Sequence, residues 1–437
     1  MKISVFGCGY LGAVHAASMV HLGHEVVGID VVPEQVESLS AGRSPFFEPG
    51  LDELLAEGLA TGRLSFTTDA AVAADATVHF ICVGTPQRHG EFAADLTYVR
   101  SAIDAVVPHL GPGDVVVGKS TVPVGTAERL RETVQEAVPE AELLWNPEFL
   151  REGFAVEDTL RPDRFVYGLA DTGQAHAAAA RLDEVYAAAL AGGTPKIETD
   201  LATAQLVKVA ANSFLATKIS FINAMAELCE ATGADVKGLA DAIGHDARIG
   251  RRFLNAGLGF GGGCLPKDIR AFMARAGELG VDQALTFLRE VDSINMRRRV
   301  RVVDMAREVC GGSIVGRRIA VLGAAFKPDS DDVRDSPALS VAAQMQLQGA
   351  YVVVTDPKAI DNAAKKWPDL SFTDTVEDAV SGAEAVLLAT EWPEYVGIDP
   401  TWLKGRVREA RIIDGRNCLD PAVWRAAGWT YRALGRP

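Results

Sequence analysis

Residues 2–12 read KISVFGCGYLG, an apolar strand that runs directly into glycines spaced G-x-G-x-x-G and then into a helix-like segment. A second strand, HEVVGID at residues 24–30, ends in Asp30. Glycines at this spacing allow the tight turn and the close backbone approach that a dinucleotide pyrophosphate requires. A carboxylate about 20 residues further on accepts hydrogen bonds from ribose hydroxyls. The stretch predicts the first turn of a dinucleotide-binding, doubly wound α/β domain.

Strands and helices alternate on both sides of a helical middle segment. Apolar runs that end in Gly, Thr or Pro, such as residues 76–86 and 114–123, are typical of buried parallel strands. The order strand, glycine turn, helix and strand ending in Asp recurs from Gly323 to Asp356, and residues 199–233 carry apolar side chains at helical spacing. We therefore predict an α/β fold in which a central long-helix domain joins two Rossmann-like doubly wound domains. The expected boundaries are 1–197, 198–300 and 301–437.

Composition excludes several classes of function. The 437 residues include 43 Lys and Arg against 58 Asp and Glu, so the formal net charge is −15, which argues against nucleic-acid binding and against adhesion to anionic membranes. No apolar run is long enough for a membrane helix, and the N-terminus lacks the features of a signal peptide. The six cysteines and eight histidines are scattered, which predicts neither a disulfide framework nor a metal site and fits a cytoplasmic protein.

A second signal lies at residues 259–268, GFGGGCLPKD. Pro266 suits the first turn of a helix, which would put Cys264 at the helix N-terminus, where a thiolate is stabilised and the sulfur is exposed as a nucleophile. We interpret the glycines as allowing close approach of a ligand, and Asp268 can share the same side of the helix start. The alternative is that Cys264 is a small buried hydrophobic residue, which is what we expect of the other five cysteines.

Two polar residues interrupt the apolar middle segment. Lys208 and Asn212 lie four residues apart in LVKVAANSF, so they share one helix face. A lysine and an asparagine placed together can stabilise an oxyanion beside a nucleophilic cysteine. A solvated helix face is the alternative. Similarly, Arg297–Arg299 in MRRRVRVV is interpreted as the solvated face of a helix.

Taken together, these stretches resemble the UDP-glucose/GDP-mannose dehydrogenase family over nearly the whole chain. The resemblance is carried by long motifs in a fixed order: GCGYLG with Asp30, SPFFEPGL at 44–51, CVGTP at 82–86, STVP at 120–123, NPEFLREG at 146–153, LVKVAANSFLATKISFIN at 206–223, RIGRRFLNAGLGFGGGCLPKD at 248–268, FKPDSDDVRDSP at 326–337 and DGRN at 414–417. Within the family, AANSFLATKISFIN at 210–223 favours the members that act on UDP-glucose.

The resemblance implies an NAD-dependent oxidoreductase that takes the C6 alcohol of a nucleotide sugar to a carboxylate in two steps, reducing two NAD⁺. By motif position, Cys264 matches the nucleophile that holds a thiohemiacetal and then a thioester. Lys208 and Asn212 match groups that steady oxyanions, and Asp268 matches a residue near the reacting water. Glu148 is the expected general base, acting through a water held by Thr121.

The resemblance also implies binding residues. Positions on the NAD side are Gly7, Gly9, Tyr10, Leu11, Gly12, Asp30, Thr85, Thr121, Glu152, Lys267 and Arg334. Positions on the UDP-glucose side are Glu148, Phe149, Leu150, Arg151, Glu152, Lys208, Asn212, Arg248, Phe253, Leu254, Asn255, Ala256, Gly257, Gly261, Lys327 and Arg416. Arg248 matches a residue that serves the neighbouring subunit's site, so at least a homodimer is expected. The middle helices also carry more apolar residues than a small domain can bury, which likewise predicts a contact between subunits.

Two departures from the family pattern concern single residues. Gln35 stands where many members have a basic residue near the adenosine ribose, and Gly263 stands where many have Ser. The turn at Gly323–Pro328 lacks the glycine triplet, so it is a poor dinucleotide cradle, and Lys327 offers a charge there for a phosphate or a sugar.

Two alternatives remain open on these residues. One is oxidation of GDP-mannose or a UDP-N-acetylhexosamine by the same chemistry. The other is a non-catalytic NAD-binding protein, against which the joint presence of Cys264, Lys208, Asn212, Asp268 and Glu148 speaks.

The first testable prediction concerns the choice of cofactor. Asp30 repels a 2′-phosphate, and Val31 and Val32 offer no compensating cation. NAD⁺ should exceed NADP⁺ in kcat/KM by more than about tenfold, since at least about 1.4 kcal/mol of differential binding is expected. Steady-state kinetics with both cofactors checks this, and equal use of NADP⁺ would contradict the role given to Asp30.

Overall fold

The computed structural model describes residues 1–436, and the chain divides into two compact units. One unit holds residues 1–211 and 270–280, and the other holds residues 212–269 and the chain from 281 onward. The three-domain boundaries stay a prediction. No helix among the described residues is long and apolar enough to cross a membrane.

The first unit contains an eight-stranded sheet with the order β3-β2-β1-β4-β5-β6-β7-β8. Its strands are β1 Lys2–Phe6, β2 Glu25–Ile29, β3 Leu64–Thr67, β4 Val78–Ile81, β5 Val115–Gly118, β6 Glu142–Trp145, β7 Phe165–Gly168 and β8 Lys196–Thr199. Every pair is parallel except β6 with β7. The strand order reverses between β1 and β4, and ligands of doubly wound sheets bind at the carboxyl ends of the strands at this point.

Both faces of this sheet are covered by helices. Val115 and Val117 of β5 pack into one core cluster, whereas Val116 packs into the other, which is why the strand reads as an unbroken apolar run. The helices of this unit before the long helix are α1 Tyr10–His21, α2 Pro33–Ser40, α3 Leu51–Ala60, α4 Thr97–Val106, α5 Thr126–Ala137, α6 Ala155–Leu160, α7 Gly173–Val185 and α8 Ala187–Ala191, with short 3₁₀ helices at Ala70–Asp75 and Val107–His109.

The predicted helical middle is one uninterrupted helix, α9 Leu201–Thr232, which contributes residues to both units. Three further helices and a 3₁₀ turn follow it: α10 Val236–Gly244, α11 Leu265–Glu278, the 3₁₀ helix Asp282–Leu285 and α12 Thr286–Val309. A small core cluster in the second unit joins Ile222 and Cys229 of α9 to Val236 of α10 and to Leu254.

The second unit contains a six-stranded sheet that is parallel throughout, with the order β11-β10-β9-β12-β13-β14. Its strands are β9 Arg318–Leu322, β10 Tyr351–Thr355, β11 Ser371–Phe372, β12 Ala385–Leu388, β13 Arg411–Asp414 and β14 Thr430–Ala433. Its helices are α13 Pro337–Leu347, α14 Ile360–Lys366, α15 Val376–Val380, α16 Pro393–Val396, α17 Pro400–Lys404 and α18 Pro421–Ala426. The two sheets confirm the prediction of two Rossmann-like doubly wound folds.

The three glycines of the first turn have separate roles. Gly7 has a φ of +84°, which only glycine adopts easily. A Cβ at Gly12 would lie 1.7 Å from the carbonyl oxygen of Gly7, so α1 can approach the end of β1 only without a side chain there. A Cβ at Gly9 would meet no atom within 4 Å. Gly7 and Gly12 therefore serve the fold, and Gly9 borders open space at the start of α1.

The contrast between Gly12 and Gly9 gives a matched pair of variants. Gly12→Ala should lower the free energy of unfolding by about 1–3 kcal/mol because the methyl group overlaps a backbone oxygen. Gly9→Ala should leave the melting temperature unchanged and weaken NAD⁺ binding, since its methyl group enters the space predicted for the pyrophosphate. Thermal melts with and without NAD⁺ measure both effects. Equal melting temperatures for the two variants would contradict the assignment.

Candidate active site

At the carboxyl end of β2, the Asp30 carboxylate is held beside the glycine turn. Its Oδ2 accepts the Cys8 N–H at 2.6 Å and its Oδ1 accepts the Val32 N–H at 3.0 Å. Gln35 donates from Nε2 to the Cys8 carbonyl oxygen, so this departure from the family pattern also holds the turn. The open space at Gly9, the uncapped start of α1 and the anchored carboxylate fit NAD, with α1 supplying N–H groups to the pyrophosphate and Asp30 accepting ribose hydroxyls.

The matching turn of the second sheet is closed by its own carboxylate. Asp356, at the end of β10, accepts the N–H groups of Ala324 and Ala325 at 2.7 and 3.0 Å and is only 3% exposed. The Trp392 indole N–H donates to the same oxygen at 3.1 Å. Two N–H groups of this turn are therefore already used, against one in the first turn, which agrees with the expectation that this turn is a poor dinucleotide cradle.

Two loops meet beyond the switch point of the first sheet. Thr85, after β4, donates its hydroxyl to the Thr121 carbonyl oxygen at 2.7 Å, and Ser120 donates to the Val83 carbonyl oxygen at 2.7 Å. The loops that carry CVGTP and STVP are thus joined to each other by hydrogen bonds at the carboxyl ends of β4 and β5. The roles predicted for Thr85 and Thr121 stay predictions. Leu11 lies at the start of α1, where it packs partly buried against the first core cluster.

The loop at 146–153, which we call the carboxylate loop, follows β6. Lys208 Nζ lies 3.1 Å from Glu148 Oε1, and both side chains are largely buried. Glu148 Oε2 also accepts the Leu150 N–H at 2.8 Å, and Lys208 lies 5.7 Å from the centroid of the Phe149 ring. The Glu148 carboxylate is therefore fixed in place by an ammonium and by a backbone N–H.

Other residues of the carboxylate loop face different partners. Arg151 pairs with Asp158 at 2.6 Å on the surface, and this carboxylate raises the pKa of Arg151. Phe149 and Leu150 pack, partly buried, against different core clusters, and Glu152 is buried. The structure therefore directs Glu148 inward and Arg151 onto a surface ion pair.

Sequence reasoning missed the lysine beneath this loop. Lys119, directly after β5, is buried, and its ammonium lies 2.9 Å from Asn146 Oδ1 and 3.3 Å from the Tyr186 hydroxyl oxygen. Burial lowers the pKa of Lys119 to about 8. Asn146 opens the carboxylate loop, so Lys119 fixes its first residue. A lysine that directly follows the apolar run VVVG was the available signal.

In the second unit, Cys264 is exposed and directly precedes α11, as predicted, and its carbonyl oxygen accepts the Asp268 N–H at 2.9 Å. Asp268 is 2% exposed and bridges two partners: its Oδ2 accepts the Asn212 amide at 2.6 Å, and its Oδ1 accepts Lys267 Nζ at 2.6 Å. Asp268 thereby orients the Asn212 amide on α9. Of the other cysteines, Cys8, Cys82, Cys229 and Cys310 are buried and Cys418 is partly buried.

Burial raises the thiol pKa of each of these five cysteines, and that of Cys82 reaches about 12. They are therefore held as thiols in the fold, as expected of small hydrophobic residues.

The glycine run before Cys264 has a packing reason that the sequence did not reveal. A Cβ at Gly261 would lie 2.4 Å from the Asp335 carbonyl oxygen, and one at Gly263 would lie 2.2 Å from the Arg334 guanidinium carbon. Gly262 donates its N–H to the Arg334 carbonyl oxygen at 2.8 Å. We expected a ligand to approach these glycines, but the segment that approaches them is FKPDSDDVRDSP of the same unit. Arg334 itself pairs with Asp332 at 2.8 Å.

The segment predicted to hold the sugar nucleotide is fixed by buried amides. Asn223 Oδ1 accepts the Gly257 N–H at 2.9 Å, and Asn417 donates to the Ala256 carbonyl oxygen at 3.0 Å. Phe253 has a positive φ of 65°, Leu254 is buried, and Asn255 accepts from Arg251 at 2.8 Å. The backbone of residues 253–257 is therefore preorganised within the second unit.

Three predicted cationic positions differ in their surroundings. Arg416 donates to the carbonyl oxygens of Ala389, Gly259 and Phe326 at 2.8, 3.2 and 3.0 Å, so it joins three segments of the second unit. Lys327 lies 5.4 Å from the centroid of the Phe326 ring. Arg248 is highly exposed and pairs with Asp246 at 2.6 Å. Their predicted substrate contacts stay predictions.

The expectation of a solvated face at Arg297–Arg299 is wrong for two of the three residues. Arg298 is fully buried and Arg299 is 3% exposed. Asn295, one turn earlier, accepts the Phe260 N–H at 2.7 Å and donates to the Phe260 carbonyl oxygen at 3.0 Å. Arg299 pairs with Asp335 at 2.9 Å. These side chains continue the buried stripe of α12 because carboxylates and backbone carbonyl oxygens, rather than apolar side chains, lie opposite them.

Three family models match the chain, each from the UDP-glucose/GDP-mannose dehydrogenase family: the NAD binding domain over residues 1–190, the central domain over 202–297 and the UDP binding domain over 320–421. The chain is 42% identical over 442 residues to UDP-glucose 6-dehydrogenase TuaD of Bacillus subtilis (strain 168), covering 100% of this chain and 93% of that protein.

Two solved structures are similar throughout. A UDP-glucose dehydrogenase from Pyrobaculum islandicum matches with a TM-score of 0.90 and 40% identity, covering 100% of this chain and 98% of that one. A UDP-D-ManNAc dehydrogenase from Pyrococcus horikoshii matches with a TM-score of 0.86 and 28% identity, covering 100% and 99%. With a dinucleotide cradle in the first unit, an exposed cysteine in the second and family models across both, this chain belongs to the UDP-glucose/GDP-mannose dehydrogenase family.

Proposed function

We propose that this protein oxidises the C6 alcohol of UDP-glucose to the carboxylate of UDP-glucuronate, using two NAD⁺ per sugar. The observation that carries the chemistry is Cys264, an exposed thiol directly before α11. A simple alcohol dehydrogenase needs no cysteine nucleophile, whereas passage from aldehyde to acid is made easier by a covalent intermediate. Cys264 therefore supports the four-electron reaction over the two-electron one.

In the first oxidation, the C6 hydroxyl loses its proton and C6 loses a hydride, which NAD⁺ accepts when bound. Glu148 is the proposed base, acting through a water held by Thr121, because its carboxylate faces inward and Lys208 holds it in place at 3.1 Å. Lys208 and Asn212 are proposed to stabilise the negative charge that develops on the oxygen.

In the second oxidation, the sulfur of Cys264 bonds to the aldehyde carbon and the carbonyl oxygen takes up a proton, giving a thiohemiacetal. This species loses the O–H proton and a second hydride, for which the second NAD⁺ would be the acceptor, to become a thioester. Water then adds to the thioester carbon, the C–S bond breaks, and the thiol and the carboxylate are released. Asp268, which orients Asn212 through a 2.6 Å hydrogen bond, is proposed to support this water-dependent step.

UDP-glucose is favoured among the family's sugars because the relatives named for it are 38–42% identical to this chain over its full length. The 28% identity to a UDP-D-ManNAc dehydrogenase, with the same fold, makes a UDP-N-acetylhexosamine the second candidate. GDP-mannose and a non-catalytic role have weaker support. A panel of nucleotide sugars separates all four.

The reaction's stoichiometry tests the proposed function. Purified protein with limiting UDP-glucose and excess NAD⁺ should form two NADH per sugar, followed by absorbance, with little free aldehyde. GDP-mannose and UDP-N-acetylhexosamines at equal concentration should react at least about tenfold more slowly, as for a substrate that leaves polar groups of the site unpaired. A stable ratio of one NADH would overturn the thioester route, and faster turnover of another sugar would overturn the substrate.

Replacement of the nucleophile is the next prediction. Cys264→Ser should lower kcat by about three orders of magnitude or more, because a hydroxyl is a far weaker nucleophile at neutral pH. NAD⁺ and UDP-glucose should still bind, measured by calorimetry, since neither depends mainly on the sulfur. Cys229→Ser is the matched control: Cys229 is buried in the small core cluster of α9, so this change should cost some thermal stability and leave kcat intact. Retention of most activity by Cys264→Ser would contradict its role.

We also propose that the chain forms a homodimer through α9. Phe214, Phe221 and Leu228 are 66%, 48% and 57% exposed, and their spacing of seven residues places them on one stripe of the helix. An exposed apolar stripe of this kind is typical of an interface between subunits. Arg248, exposed in the same unit, is the residue proposed to serve the neighbouring site.

Light scattering tests this assembly. The mass in solution should be twice the 46.4 kDa of one chain, and Phe214→Glu with Phe221→Glu should yield monomers with reduced activity. Leu347→Glu is the control, because Leu347 is 87% exposed at the end of α13 and outside this stripe. A monomeric wild-type protein with full activity would contradict the proposal.

A cytoplasmic location is proposed as well. All six cysteines are free thiols within residues 1–436, and the proposed nucleophile is one of them, so a reducing compartment keeps it active.

A further inference from the structure

The motif SPFFEPGL contains a carboxylate that the proposed reaction does not use. Glu48 lies in the segment between α2 and α3 and is only 5% exposed. Its carboxylate is stabilised by N–H and O–H donors, and no lysine or arginine pairs with it within the described part of the chain. Burial raises the pKa of Glu48 above its usual range. A buried carboxylate without a cationic partner is costly, so its presence at this position suggests a role beyond packing.

The donors to Glu48 come from two distant segments. Oε2 accepts the Gly153 N–H at 2.6 Å, and Oε1 accepts the Ala155 N–H at 2.7 Å. The Tyr10 hydroxyl also donates to Oε2, and burial raises the pKa of Tyr10 so that this hydroxyl stays protonated. One carboxylate therefore joins the first residue of α1, beside Gly9, to the end of the carboxylate loop.

The structure that surrounds Glu48 is tightly packed. Leu51 and Leu55 of α3 are fully buried in the same core cluster as Ala13 and Ala17 of α1. The Tyr10 ring packs against Phe46, with 4.7 Å between the ring centroids. Glu48 thus lies shortly before one of two packed helices, α3, and bonds to the first residue of the other, α1. Its hydrogen bonds to Gly153 and Ala155 therefore tie the loop to this rigid pair of helices.

The carboxylate loop is fixed at both ends by buried polar groups. Asn146 at its start is held by Lys119 at 2.9 Å, and the N–H groups of Gly153 and Ala155 at its end are held by Glu48. Between these ends lie Glu148 and Glu152. Displacement of a catalytic group by about 1 Å can cost about a hundredfold in rate, so fixing the loop matters for the reaction.

We propose that Glu48 is a positioning residue for the oxidation: it holds the carboxylate loop in register with the cofactor turn through Tyr10, Gly153 and Ala155. The inference rests on the proposed function, in which Glu148 accepts a proton. Three donors need two acceptor oxygens, so a carboxylate is required. A glutamine would turn an NH₂ group toward a backbone N–H and release one end of the loop.

Glu48→Gln tests the proposal, with Glu142→Gln as the matched control. Glu142 is a carboxylate of the same unit, 1% exposed, which pairs with Arg131 at the start of β6, at the end of the strand opposite Asn146. Both variants lose a charged acceptor and should melt at lower temperature. Only Glu48→Gln should lower kcat, by about tenfold to a hundredfold. Its affinity for UDP, which lacks the glucose, should match that of wild type by calorimetry, because the UDP binding domain lies at residues 320–421.

The outcomes are distinct. Equal kcat for the two variants, with only their melting temperatures reduced, would show that Glu48 is structural and would overturn the inference. If Glu48→Gln does not fold, Glu48→Asp decides, since it keeps the charge but withdraws the oxygens by one methylene. It should lower kcat with the affinity for UDP unchanged, and an unchanged kcat overturns the inference. A wild-type protein that forms no NADH from UDP-glucose would instead defeat the proposed function itself.

Discussion

The approach of α1 to the end of β1 is the contact on which the first unit depends. It requires a residue without a side chain at position 12, because a Cβ at Gly12 would lie 1.7 Å from the Gly7 carbonyl oxygen. At Gly9, in contrast, the space is open. The six strands of the second sheet follow the order of the first six strands of the first sheet. There, however, Asp356 accepts two N–H groups of its turn and the Trp392 indole N–H, whereas Asp30 accepts one N–H of the glycine turn. One architecture therefore yields a dinucleotide cradle in one unit and a closed turn in the other. The difference comes from a few side chains at the carboxyl ends of the strands.

Buried charge organises the surroundings of the first cradle. Glu148 is paired with Lys208, Lys119 is surrounded by amide and phenol oxygens, and Glu48 is surrounded by N–H and O–H donors. Each arrangement exchanges stability for a fixed position, because a buried charge is costly unless its hydrogen bonds are complete. That cost is understandable at a loop that carries Glu148, the proposed base, because a catalytic group must be placed within a fraction of an ångström.

The sequence predicted the regular elements well and the polar interior poorly. Apolar periodicity identified both sheets and the long helix α9, because burial of both sheet faces leaves a strong local pattern. Arg298 and Arg299 were misplaced and Lys119 was overlooked, since a polar side chain at a buried position is explained only by the polar groups that it meets from distant parts of the chain. Likewise, the glycines before Cys264 make room for residues 334–335, a contact that no local pattern encodes.

The central claim is that Cys264 forms the covalent intermediate. Cys264 is exposed, whereas four of the other cysteines are buried, and this difference permits a direct measurement. Iodoacetamide at limiting dose should alkylate Cys264 first, as mapped by peptide mass spectrometry. The account predicts that lost activity equals the fraction of Cys264 modified, and that UDP-glucose slows both equally. A protein fully alkylated at Cys264 that still forms two NADH per UDP-glucose would contradict it.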